Sequence, residues 1–172
     1  MEEKTSTTRV ALKWGLILAV VSIIYSIILF VTDSIGNRAL GFVAYGLTIA
    51  AIIMAMREFR TLNGGFMTYG EGVGLGTLTA AISGFISSLF SVFYMTVIDT
   101  GIMTRAADKA REQMEDQGMS DEQIDSAMGI MEKFQSPGIL FAFGVIGSIF
   151  LGLIFSLIIA AFIRRNKNNP FE

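Results

Sequence analysis

The chain has 172 residues, with 13 Lys and Arg against 15 Asp and Glu, and neither cysteine nor histidine. That composition excludes disulfides, thiol and imidazole catalysis, and zinc sites built on Cys or His. A net charge of −2 gives no footing for nucleic acid, and a mean hydropathy of +0.59 points towards lipid.

Four stretches, 14–31, 39–56, 72–98 and 138–163, run for 18 or more positions without a charged residue. A bilayer core about 30 Å thick is crossed by ~20 apolar helical residues, with ~17 as the lower limit. All four are apolar all round, whereas helices of a soluble bundle keep a polar face. The prediction is an all-α polytopic membrane protein, a single domain over residues 1–172, with four transmembrane helices. Lys4, Arg9 and Lys13 precede the first stretch as they would in a signal peptide. Its apolar run is too long for one, however, and no small-x-small site follows Val31, so it is expected to be a retained span.

Basic residues set the expected orientation. Lys4, Arg9 and Lys13, then Arg57 and Arg60, then Arg164, Arg165 and Lys167 occupy short segments on one side; Arg38 stands on the other. Arg105, Lys109, Arg111 and Lys133 are diluted among nine acids in the long segment Asp99–Pro137. The positive-inside rule places both termini in the cytoplasm and the acidic segment outside.

The first span carries a short row of small residues, Gly15, Ala19, Ser22 and Ser26, and the second carries Gly46 and Ala50. The third has a small residue at every fourth position: Gly72, Gly76, Ala80, Gly84 and Ser88. The fourth repeats it with Gly144, Ser148, Gly152, Ser156 and Ala160. Lipid tails are as apolar as leucine, so membrane helices associate through close backbone approach, which such rows permit. The two long rows are expected to form an interface, either inside one chain or between subunits. Their serine hydroxyls can return to their own helix or bridge to the other.

Ahead of the third span, Asn63-Gly64-Gly65 is turn chemistry, and Thr68 with Glu71 fits a capping box at a helix N-terminus. The alternative role for Glu71 is a carboxylate coupling proton or cation movement. The alternating glycines from Gly70 to Gly76 lack the strand and the Gly-Lys-Ser/Thr ending of a phosphate loop.

The segment 99–137 reads as an amphipathic helical hairpin. Met103, Ala107, Ala110 and Met114 share one face before a stop at Gly118. Ser120 and Gln123 then form a second capping box, and Ile124, Met128, Met131 and Phe134 share the next face. These faces can pack on each other, on the membrane surface, or on a partner. Its acids follow no EF-hand order, and Ser136-Pro137 caps and starts the fourth span.

Three places carry a family likeness: Lys13-Trp14-Gly15; Gly64-Gly65-Phe66-Met67-Thr68-Tyr69-Gly70-Glu71; and Gly118-Met119-Ser120-Asp121-Glu122-Gln123 with Met131-Glu132-Lys133-Phe134-Gln135-Ser136-Pro137-Gly138. In these the chain resembles, over nearly its whole length, a bacterial family of small four-span membrane proteins catalogued as a domain of unknown function. The resemblance implies a bacterial inner-membrane protein with no established activity. It also hints at an accessory role beside membrane glycosyltransferases. Thr100 follows Asp99 where similar proteins tend to have proline, a departure that touches only the entry to the hairpin.

The expected function is a non-enzymatic scaffold or accessory subunit, without cofactor or metal, presenting the acidic hairpin to a membrane partner or to a second copy. The alternative is a small transporter or channel on the third and fourth spans. An intramembrane enzyme fits poorly, because the spans offer serines but no Lys or Asp to activate them.

Overall fold

The computed structural model describes residues 6–34 and 37–166, the side chain of Arg38 excepted; Lys4 and Lys167, used above for orientation, lie outside the described residues. The described chain is helical: α1 (Thr7–Val31), α2 (Arg38–Leu62), α3 (Tyr69–Phe93), α4 (Ile102–Asp116), α5 (Asp121–Phe134) and α6 (Pro137–Ile163). Among them α1, α2, α3 and α6 are long and apolar enough to cross a membrane. With α4 and α5 as a hairpin between α3 and α6, this is the expected four-span membrane architecture.

Local chemistry sets the helix ends. Asn37 Oδ1 accepts from the backbone N–H groups of Ala39 and Leu40 at 3.0 and 3.4 Å and so starts α2. Gly64 and Gly65, at φ of 66° and 90°, turn the chain from α2 into α3, and Gly118, at 75°, turns it from α4 into α5. Capping boxes at Thr68/Glu71 and Ser120/Gln123 open α3 and α5. One expected cap is missing: Pro137 starts α6, but the Ser136 side chain makes no capping hydrogen bond. The third span also ends differently from an ordinary helix. Tyr94–Ile98 is a π-helical turn closed by Asp99 N–H donating to Tyr94 O at 2.9 Å.

Packing centres on α3, which lies against α6 most extensively, then α1, then α2. The two long small-residue rows meet antiparallel, rung by rung: Gly72 with Ala160, Gly76 with Ser156, Ala80 with Gly152, Gly84 with Ser148, Ser88 with Gly144. Every rung pairs one glycine with an alanine or serine. A methyl group on Gly76, Gly84, Gly144 or Gly152 would overlap the partner's side chain, and one on Gly72 would come 2.9 Å from Ala160 Cβ. The interface therefore lies within one chain.

On the other flank Gly15 of α1 fits against Ile82, where a methyl would approach the Ile82 Cβ to 2.8 Å. The pair in α2 packs on nothing: Gly46 faces open space and Ala50 is exposed. Instead α2 packs chiefly along its second half, where Ile52, Met56 and Phe59 join Met67, Leu75 and Ala160 in the core.

Replacing Gly84 with leucine is expected to force α3 from α6 and cost about 1–3 kcal/mol or more. Gly74→Leu, which points into open space, should stay within about 0.5 kcal/mol; melting of both variants in detergent checks this. A Gly72→Cys/Ala160→Cys pair in this cysteine-free chain should oxidise to an intrachain disulfide, with the two Cβ atoms easing apart from 2.9 Å to ~3.8 Å. A disulfide-linked dimer on a non-reducing gel would contradict the pairing.

Candidate functional site

Charge and chemistry collect at the two ends of the bundle, and unpaired hydroxyls collect between them. At the end where the described chain starts and finishes, Lys13 Nζ donates to both oxygens of Glu58 at 2.8 and 2.9 Å, and Trp14 Nε1 donates to Glu58 Oε2 at 2.8 Å. Adjacent residues of α1 thus converge on one carboxylate of α2. Met67 and Arg165 exchange backbone hydrogen bonds at 2.9 and 2.8 Å, Arg60 donates to Ile163 O at 3.2 Å, and Tyr69 Oη donates to Leu157 O at 3.2 Å. Together these tie the α2–α3 turn to the end of α6. Glu71 belongs to this end: its Oε2 accepts from Thr68 N and Oγ1 at 2.8 and 2.9 Å. The carboxylate proposed for coupling is engaged in starting α3.

At the opposite end the hairpin is fixed at its base. Arg105 reaches Asp99 at 2.5 Å and Asp33, in the α1–α2 connection, at 3.0 Å; Lys109 donates to the Asp33 carbonyl. Asp33 adopts φ 51°, a left-handed conformation that aspartate tolerates better than most residues. The hydrogen bond from Arg105, with its charge, holds the Asp99 carboxyl below its ordinary range, and the two carboxylates hold Arg105 firmly protonated. Arg111 crosses from α4 to Asp125 of α5 at 2.6 Å.

The hairpin's apolar faces are partly covered. Ile124 is buried, Met103, Ala107, Ala110, Met114, Met128 and Met131 are half-buried, and Phe134 is largely exposed with its ring 5.9 Å from that of Phe143. Ile102 is equally buried; its place next to Met103 at the start of α4 gave no periodic signal.

Of the ladder serines, Ser148 Oγ returns to Val145 O at 2.8 Å, and Ser156 Oγ is enclosed with no hydrogen-bond partner. Neither bridges to α3. Above the middle rungs, on the hairpin side, a cavity of about 480 Å³ opens between α1, α2, α3 and α6. Ladder residues Ala80, Gly84, Ser88, Gly144 and Ser148 line one side of it, together with Ser22, Ser83 and Ser87. Sequence reasoning missed the cavity, because spacing along each helix does not reveal where α2 parts from its neighbours. Among the described residues no group of three or more Asp or Glu is placed to hold a metal ion.

The depressed Asp99 pKa fixes the sign of a pH effect on the hairpin. The Arg105 pairing contributes above the unfolded carboxylate pKa of about 3.9, and it is lost as pH falls through the lower folded value. A nitroxide on Ser126→Cys should report a restrained hairpin from neutral pH down to that range and a freer one below it. Arg105→Gln should give the freer spectrum at every pH.

No curated protein and no solved structure matches the chain. Residues 13–165, from the lysine that binds Glu58 to the arginine that pairs with Met67, match the family described as protein of unknown function (DUF4199), and the chain belongs to that family.

Proposed function

We propose that this protein is a non-enzymatic scaffold or accessory subunit of a cell-membrane assembly, with both termini cytoplasmic and the α4–α5 hairpin presented on the other side. The observation that carries this reading is the hairpin's attachment. It is clamped at its base by Arg105 while its acids remain in solvent. Asp108, Glu112, Glu115, Asp116, Asp121, Glu122, Asp125 and Glu132 are all exposed, and among these the ion pairs are those of Glu115 and Asp125 with Arg111. An oriented acidic surface suits a partner whose membrane-proximal face is basic, since charge complementarity speeds and selects association. The orientation rests on Arg9, Lys13, Arg57, Arg60, Arg164 and Arg165 gathering at the opposite end.

The transporter reading is the weaker one. A path along α3 and α6 would have to part five rungs in close contact, and its coupling group, Glu71, is committed to Thr68.

Two experiments separate these readings. The full chain, recovered from native membranes, should bring down a specific membrane protein. Neutralising Asp108, Glu112, Asp121 and Glu122 to their amides should weaken that recovery roughly tenfold; an unchanged partner set would count against the scaffold. Glu71→Gln should leave solute and ion flux in vesicles unaltered and, because glutamine still closes the box as Gln123 does in α5, lower stability by only about 0.3–1 kcal/mol through the charge lost at the start of α3.

A further inference from the structure

We propose that the cavity between α1, α2, α3 and α6 binds an uncharged lipid, an acyl-chain amphiphile of the diacylglycerol type whose hydroxyl and ester groups meet Ser83 and Ser87. Two independent observations carry this. The first is the pair of hydroxyls themselves. Ser83 lines the cavity, is 4% exposed, and makes no hydrogen bond among the described residues. Ser87 lines it too, and its Oγ is enclosed without a partner. Thr77 and Ser156 are likewise unpartnered but do not line the cavity, whereas three other hydroxyls are satisfied: Thr79 donates to Leu75 O at 2.8 Å, Thr48 to Ala44 O at 3.0 Å, and Ser148 to Val145 O at 2.8 Å. Those three satisfy themselves on their own helices. Ser83 and Ser87 do not, and at membrane depth an unpaired hydroxyl is costly. A ligand group in the cavity removes that cost at Ser83 directly and at Ser87 once its enclosed hydroxyl turns to another staggered rotamer.

The second observation is the wall. Among the described residues lining it none is charged, so an ionised headgroup would enter without a counter-charge and pay its full desolvation. The remaining surface is supplied by side chains such as Leu18, Val92, Leu140, Leu151 and Phe155, which suit a hydrocarbon chain. At about 480 Å³ the space falls within the ~300–1,000 Å³ typical of small-molecule sites. The cavity is open on one side of the bundle, and beside it α2 turns Phe42 and Val43 to lipid, 69% and 45% exposed, so entry is from the bilayer. Tyr45 of α2 closes the deeper side by packing edge-on against Phe155 of α6 at 6.2 Å.

The site can be blocked without disturbing the packing. Gly147 lines the cavity, and a Cβ added there would meet nothing within 4 Å, so Gly147→Leu starts into the space from an open position. The full chain, purified in detergent, is irradiated with a diacylglycerol carrying a diazirine on one acyl chain, and the labelled residues are mapped by mass spectrometry. Label is expected on α3 between Ser83 and Val92 and on α6 between Leu140 and Leu151. Unlabelled dioleoylglycerol should compete, and dioleoylphosphatidylglycerol should not. Gly147→Leu should abolish this label at an unchanged melting temperature. Ser83→Ala/Ser87→Ala, which keeps the shape and removes the hydroxyls, should weaken it by about fivefold or more. Labelling confined to the lipid-facing surface, or insensitive to Gly147→Leu, overturns the site. Competition by phosphatidylglycerol alone overturns the uncharged class, and indifference to the serine pair overturns the role of the hydroxyls.

Discussion

Contact between the backbones of α3 and α6 is the constraint from which the rest of this structure follows. Inside a bilayer no water is expelled when helices meet, so what remains is dispersion between surfaces that fit. Five rungs, each pairing a glycine with an alanine or serine, give two helices a long seam without side chains holding them apart. Gly15 brings α1 onto the opposite flank of α3 by the same means. No such row serves α2, where Gly46 meets open space. It is held by the burial of Ile52, Met56 and Phe59 along its second half and by polar and aromatic contacts: Glu58 with Lys13 and Trp14 at one end, Tyr25 Oη to Leu40 O at 2.6 Å towards the other, and Tyr45 on Phe155 between them. The cavity lies beside the one span that lacks a close-packed seam.

The residues that carry the family likeness find physical roles in this arrangement. Lys13 and Trp14 bind Glu58 while Gly15 admits Ile82. In the second motif Gly64 and Gly65 make the turn, Met67 pairs with Arg165, Thr68 and Glu71 cap α3, and Tyr69 ties α3 to α6. The first two of the three places therefore act at the same end, fixing how four spans leave the membrane. These two places mark how the bundle is closed; the unpaired hydroxyls of Ser83 and Ser87 fall between the second place and the third, the one in the hairpin.

What the sequence discloses is local and periodic. Charge-free runs give the spans, a spacing of four gives the ladders, and Thr68 with Glu71 and Ser120 with Gln123 give two helix starts. Even the direction of the interface was legible, since only an antiparallel register sets each glycine of one row against a larger residue of the other. Pairings over long sequence distances were not. Glu58 stands 44 and 45 residues from Trp14 and Lys13, and Arg105 stands 72 from Asp33, so nothing in either neighbourhood distinguishes them from solvated charges. The π-helical turn at Tyr94–Ile98 is invisible for a related reason: one extra residue in a turn leaves apolar composition unchanged.

Two kinds of interaction divide the work between membrane and solvent. Asp33 is exposed and Arg105 and Asp99 are half-buried, and ion pairs that water reaches contribute little net stability because solvent and salt compete for both partners. Their effect is directional: a guanidinium fork shared between Asp33 and Asp99 sets where α4 leaves the bundle. The glycine seam is not open to competition from water and so bears the stability of the spans. A bundle built this way can change the charges on its hairpin while the packing of α3 on α6 stays as it is. That separation is what the proposed scaffold role needs: a fixed body in lipid and a surface in water whose chemistry is free to vary.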